Sequence, residues 1–147
     1  MRNLYQHLIV FISFLFLNCK QDPQLMLPHL NGYWEIQEVT LKDGSKKEYT
    51  FSNTIDYLEI TDSLKGFRKK LKPNLMGTFE TSKDKEYITV SFKNDSLHLN
   101  YSTPYLEWQE TVLKANENEL LIVNSNKDMY LYKRYESIDI NAEDLKE

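Results

Sequence analysis

The side chains able to do chemistry are few, and their spacing narrows what that chemistry is. The only cysteine, Cys19, stands directly behind the apolar run from Leu8 to Leu17. A lone thiol closes no intrachain disulfide and builds no thiolate cluster, so in an exported chain it needs another explanation. Beyond that run only His29 and His98 remain as histidines, far apart and without a carboxylate pattern nearby. No metal site is expected from them. No nucleophile elbow, P-loop, dinucleotide fingerprint or His-Glu-x-x-His occurs, so neither an enzyme nor a bound cofactor is expected. Most carboxylates fall in turns; Glu110, between Trp108 and Val112, is the exception. Facing inward, it would be a buried acid able to orient the polar head of a ligand. The preferred reading turns it outward, with Thr111 and Leu113 inside. Lys65, Arg68, Lys69, Lys70 and Lys72 gather around Gly66-Phe67. They read as a solvated hairpin whose cations guard a sheet edge, in preference to a rim for anionic head groups or envelope sugars. Across the chain 18 basic and 22 acidic side chains leave a net charge of −4. No chain-wide basic field exists, and nucleic acid is not an expected partner.

Those residues need elements to carry them. At 147 residues the chain is one ordinary domain, and 41% hydrophobic content with 4 Gly and 4 Pro excludes collagen-like and wholly disordered classes. Residues 1–18 differ from the rest. Arg2 precedes the apolar run, which only Ser13 interrupts. As a helix the run rises about 15 Å, half of a bilayer core of roughly 30 Å. That is too short to span and right for the central stretch of a cleaved export signal. Phe16-Leu17-Asn18-Cys19-Lys20 resembles the lipobox of bacterial lipoproteins, whose cysteine thiol receives a diacylglyceryl group and becomes the mature N-terminus. The resemblance implies that Cys19 is the lipid-attachment residue and that the acyl chains hold the protein on a membrane without a spanning segment. Lys20 is not the aspartate that retains such proteins at the inner membrane, which implies the outer membrane of the cell envelope. The residues alone also allow an ordinary signal peptide with an incidental cysteine. Residues 19–31, with Pro23 and Pro28 and no helical period, read as a lipidated cysteine and an extended tether of at most about 40 Å.

From Gly32 the hydrophobic period becomes two, the mark of strands. Ile88, Val90 and Phe92 alternate with Tyr87, Thr89 and Ser91, and Leu97, Leu99 and Tyr101 with His98 and Asn100. Turn-forming breaks fall at Asp43-Gly44, Pro73-Asn74, Lys93-Asn94-Asp95, Asn116-Glu117-Asn118 and Ser125-Asn126. Strands are expected near 33–41, 55–61, 65–71, 76–81, 86–92, 96–101, 107–115, 119–124 and 129–135. Short connections make neighbours antiparallel, and no helix lies between to carry a parallel crossover. The fold class expected for residues 32–135 is therefore all-β, an antiparallel up-and-down β-barrel of about 8–9 strands. A two-sheet sandwich is the competing architecture. Leu120-Leu121-Ile122-Val123 is apolar on both faces, so its outer face needs a cover. The acidic tail, 136–147, is read as disordered or as a short helix able to supply one.

Gly32-Tyr33-Trp34 opens the first strand just after Leu30, and Tyr132-Lys133-Arg134 closes the last. This combination resembles the lipocalin-like domains of small bacterial lipoproteins, over about residues 30–135. The resemblance implies that Arg134 packs across Trp34 and shuts the narrow end of the barrel. A guanidinium on an indole contributes about 0.5–2 kcal/mol. An eight-stranded barrel holds side chains or one small ligand, not comfortably both. Ile36, Tyr57, Phe79, Val90, Phe92, Leu99, Trp108, Glu110 and Tyr132 are the candidate pocket, and they leave little room. Two functions follow. One is a non-catalytic carrier of a small apolar or amphipathic ligand, held on the membrane. The other is a side-chain-filled module that docks an envelope protein through exposed aromatics such as Tyr49, Tyr105 and Tyr135.

Overall fold

The computed structural model describes residues 21–74 and 76–137. The signal segment, Cys19 and the tail from 138 onward lie outside the described residues. The order is a short helix α1 (Pro23–Met26), a 3-10 turn (Leu27–His29), then β1 (Gly32–Thr40), β2 (Lys46–Glu48), β3 (Ile55–Ile60), β4 (Lys65–Pro73), β5 (Phe79–Thr81), β6 (Glu86–Lys93), β7 (Ser96–Ser102), β8 (Glu107–Ala115), β9 (Glu119–Asn124) and β10 (Met129–Arg134). Each long strand pairs antiparallel with its neighbour, and β10 returns to β1 in register from Trp34 opposite Arg134 to Thr40 opposite Met129. That last pairing closes β1, β3, β4, β6, β7, β8, β9 and β10 into a barrel, and the sandwich alternative falls. Closure satisfies the edges that an open sheet of this length would expose. β2 hangs on β1 and β5 on β4. β2 carries no alternation, because all three of its residues are exposed, and hydrophobic period cannot reveal such a strand.

Side chains alternate between the interior and the outer wall, with two interruptions. A bulge between Ile36 and Glu38 shifts β1 against β10, and another between Val112 and Lys114 shifts β8 against β9. The second bulge lets both Val112 and Ala115 face inward, fully buried, while Leu113 turns out at 40% exposure. Such a bulge bends its strand, here at the plugged end of the barrel.

The segment read as a tether is packed structure. Asp22 caps α1 by accepting from Gln24 N at 2.9 Å, and Pro23 opens the helix where a missing N–H costs nothing. Met26 and Leu30, one helical turn apart, are both 0% exposed and fill one end of the barrel. Gln21 completes the seal. Its side-chain amide donates to Ala115 O at 2.8 Å, and its oxygen accepts from Ala115 N. Polar flanks hid a two-residue apolar face from the sequence reading.

Main-cluster packing runs from this plug through Trp34, Leu58, Ile60, Val90, Leu97, Leu99, Val112, Leu120 and Ile122. Leu120 and Ile122 point in; Leu121 and Val123 lie half-buried on the outer wall. The tail proposed as their cover lies outside the described residues.

Candidate functional site: the barrel interior and its mouth

At the plugged end, the Arg134 guanidinium carbon lies 3.7 Å from the centre of the Trp34 ring. Its nitrogens donate to three carbonyl oxygens: Glu117 at 2.9 Å, Asn31 at 2.8 Å and His29 at 3.1 Å. Trp34 is itself 0% exposed, and its indole N–H donates to Leu30 O at 2.8 Å. One arginine thus ties the last strand to the plug and to the β8–β9 turn. Gly32 has to be glycine here: its φ is +121°, and a Cβ would stand 2.6 Å from Arg134 Nη1. Burial lowers the pKa of Arg134.

Toward the opposite end, the mouth, the interior turns polar. Arg68 is buried and donates from Nε to Glu86 at 2.5 Å and from Nη1 to Glu110 at 3.3 Å. Its guanidinium carbon lies 4.4 Å from the Tyr101 ring centre, and Tyr101 stacks on Trp108 at 4.9 Å with 5° between the planes. Asp56, at 2% exposure, pairs with Lys70 Nζ at 2.6 Å, at an angle that leaves its Oδ1 without a hydrogen bond. Burial opposes the charge on Arg68, but Tyr101, Glu110, Asp56 and Glu86 outweigh it and hold its pKa well above the ordinary value. The Tyr101 hydroxyl is buried without a partner of good geometry. Burial pushes its pKa well up; Arg68 opposes this and Glu110 adds to it. Tyr132 is raised mainly by burial as well.

Three sequence expectations are corrected here. Glu110 faces inward, with Val112, and Thr111 and Leu113 face out. Its partner is Arg68, which turns into the barrel while Lys65, Lys70 and Lys72 stay exposed; the cations guard no sheet edge, because β4 is an inner member of the closed sheet, paired with β3, β5 and β6. Among the candidate pocket residues, Val90, Leu99 and Tyr132 are buried inside, while Ile36 and Trp108 lie half-buried. Tyr57 and Phe79 point outward. Both rings pack on Tyr33, at 4.9 and 5.1 Å, and Phe79 also meets Tyr135 edge-on. Phe92 is 40% exposed at the end of its strand. Asp56 and Glu86 were not legible as interior groups, whereas Tyr101 lies on the face that its alternation with Leu97 and Leu99 gives it. The signal available was β4 itself, where Arg68 stands among lysines on a strand too polar for simple alternation.

Among the described residues, the interior void between the two ends measures about 10 Å³, lined by Trp34, Asp56, Leu58, Arg68, Leu99, Tyr101, Leu120, Ile122 and Tyr132. That is room for one water molecule at most. A larger cleft, about 360 Å³, lies on the outer wall between Glu35, Phe51, Lys72, Lys133 and Tyr135. Glu35 is held there by Lys133 Nζ at 3.1 Å and by Ser52 N at 3.2 Å. Phe51 stands over it at 68% exposure. His98 faces outward, bridging Thr111 Oγ1 at 3.0 Å and Lys93 O at 3.3 Å. Of the three aromatic anchors, Tyr105 is 96% exposed, and Tyr49 and Tyr135 are half-buried.

A closed eight-stranded up-and-down barrel, plugged by a short N-terminal helix and locked by an arginine over a first-strand tryptophan, defines the class as lipocalin-like. Residues 30–122 match the lipocalin-like domain family, and the chain belongs to it. Two solved structures are similar. One is a lipocalin-like protein from Bacteroides uniformis, at 9% identity and a TM-score of 0.46, with 73% of this chain and 99% of that one covered. The other is an uncharacterized protein from Bacteroides eggerthii, at 14% identity and a TM-score of 0.44, with 71% and 98% covered. A search of curated proteins finds no match.

Proposed function

We propose that this chain is a lipid-anchored, non-catalytic lipocalin-like module of the bacterial cell envelope, at the outer membrane, which acts through its surface on a protein partner. The observation that carries the reading is the filled interior. A void of about 10 Å³ admits no fatty acid or other amphiphile, since small-molecule sites typically start at about 300 Å³. Arg68 pairs with both Glu86 and Glu110, and among the described residues the cluster leaves no general acid–base pair facing a substrate space. Cys19 carries the lipid, and exposed Tyr105 and Leu106, at 96% and 61%, present apolar surface to a partner.

The outer-wall cleft favours a second reading. At about 360 Å³, with Phe51 and Tyr135 beside Lys72 and Lys133, it has the size and mixed character for a small amphipathic ligand. Native mass spectrometry of the detergent-extracted mature protein, beside a fluorescent fatty-acid titration, tests both. No retained lipid and no saturable signal is the outcome expected of the surface module. Saturable binding that Phe51→Ala abolishes establishes the carrier in its place. For the anchor, Cys19→Ala should leave the protein uncleaved or free it from the membrane fraction; a variant that fractionates like the parent overturns the lipoprotein reading.

A further inference from the structure

We infer that the anchored protein stands on the bilayer with the plugged end of its barrel against the lipid headgroups and the mouth directed away from them. The inference rests on the reading of Cys19 as the lipid-bearing residue and adds to it the face that meets the membrane. The chain is gripped from Gln21 onward. The Gln21 amide makes a two-way pair with the backbone of Ala115, the last residue of β8, at 2.8 and 3.2 Å. Ala115 is 0% exposed, and Met26 and Leu30, which follow, are 0% exposed in the plug. Only two residue steps separate Cys19 from Gln21, and fully extended they reach about 7 Å.

A nine-residue strand such as β8 is about 30 Å long and, tilted by about 40° as barrel strands are, lifts the mouth by roughly 20 Å. A thiol held within about 10 Å of the Gln21 Cα, two residue steps plus its own side chain, cannot bring that mouth to the headgroups. The geometry decides against the opposite orientation, which the exposed apolar side chains would otherwise favour. Tyr105, Leu106 and Leu41, at 96%, 61% and 45% exposure, all belong to turns at the mouth. At the plugged end Leu25, at 64%, is the exposed apolar side chain of α1 beside the anchor. The turns at this end carry charges of both signs, Lys93 and Lys65 with Asp62 and Glu117. The acyl chains and Leu25 therefore hold this face to the bilayer, without a basic patch. The apolar turns at the mouth are left for a protein partner.

The test uses the full lipidated chain in vesicles of phosphatidylethanolamine and phosphatidylglycerol doped with a nickel-chelating lipid. Nitroxide labels are placed at Ser63→Cys, in the exposed β3–β4 turn of the plugged end, or at Ser125→Cys, in the exposed β9–β10 turn of the mouth. The expected result is a nickel collision rate several-fold higher at position 63 than at 125. A flexible Gly/Ser insert of about ten residues after Cys19 should erase that difference. Equal rates without the insert, or a higher rate at 125, overturn the orientation. Protein that fails to float with the vesicles, or a Cys19→Ala variant that floats equally well, overturns the anchor on which it rests.

Discussion

The two ends of this barrel solve the same problem with opposite chemistry. At the plugged end a short helix inserts Met26 and Leu30, and a single cation, Arg134, covers the indole of Trp34 while satisfying three backbone carbonyls. At the mouth the interior is filled by ions: Arg68 between Glu86 and Glu110, and Asp56 beside Lys70. The plug draws its stability from burial, which is non-directional and roughly proportional to area. The mouth cluster works on a narrower margin. Desolvating its charges costs about as much as their attraction returns, so such a cluster is better at fixing one arrangement than at adding stability. In a barrel built to hold a ligand, the mouth is where space would be kept. Here that space is occupied by Arg68, Tyr101 and Trp108.

This contrast can be broken at several points. Trp34→Ala removes the largest fully buried side chain and should cost about 3–5 kcal/mol in urea unfolding. A cost near 1 kcal/mol would mean that the plugged end is not the stability centre. At the mouth, Glu110→Ala strands part of the Arg68 charge and should cost about 3 kcal/mol, whereas replacing all three paired groups, Arg68→Met with Glu86→Gln and Glu110→Leu, should return the protein to within about 1 kcal/mol of the parent. A triple variant as unstable as the single one would show that the cluster supports the strands through more than charge pairing. Gly32→Ala forces a side chain into a left-handed backbone and against Arg134, for an expected loss of about 2 kcal/mol. Its indole fluorescence should shift with the loss, since the guanidinium lies on that ring.

The smallest effect is a dependence on pH. Burial raises the pKa of Tyr101 and Tyr132 in the folded protein, while unfolded tyrosines ionise near about pH 10. The unfolded chain then releases protons first. Stability from these two groups is complete below about pH 10 and declines as pH rises beyond it. Thermal unfolding between neutral pH and strongly alkaline buffer should show that decline, reduced in Tyr101→Phe. A melting temperature that holds steady to pH 11 in the parent would contradict the burial of these phenols.

The lock of Arg134 on Trp34 was legible in the sequence and the ion cluster at the mouth was not, for one physical reason. Gly32, Trp34 and Arg134 are marked by a local motif and by their places at the two chain ends of the sheet, which a closed barrel must bring together. The strand bounds were legible as well, because alternation and turn residues act within a few positions. The Arg68–Glu110 pair spans 42 positions. It exists only because β4 and β8 project side chains across the barrel lumen from different parts of the wall. Which face of β8 points inward depended on a bulge near Leu113 that no periodicity announces. Gln21 to Leu30 misled in the same way, since a plug is apolar only where it meets its socket.

Local covalent and steric preferences, then, were enough to determine that this chain alternates, turns back on itself about every ten residues and carries a thiol behind an apolar run. Closure of β10 onto β1, the inward turn of Glu110 and Arg68 and the seating of the N-terminal segment were decided by the tertiary structure. Each depends on partners brought together from distant parts of the chain, and burial assigns a side chain its role only once those partners are in place.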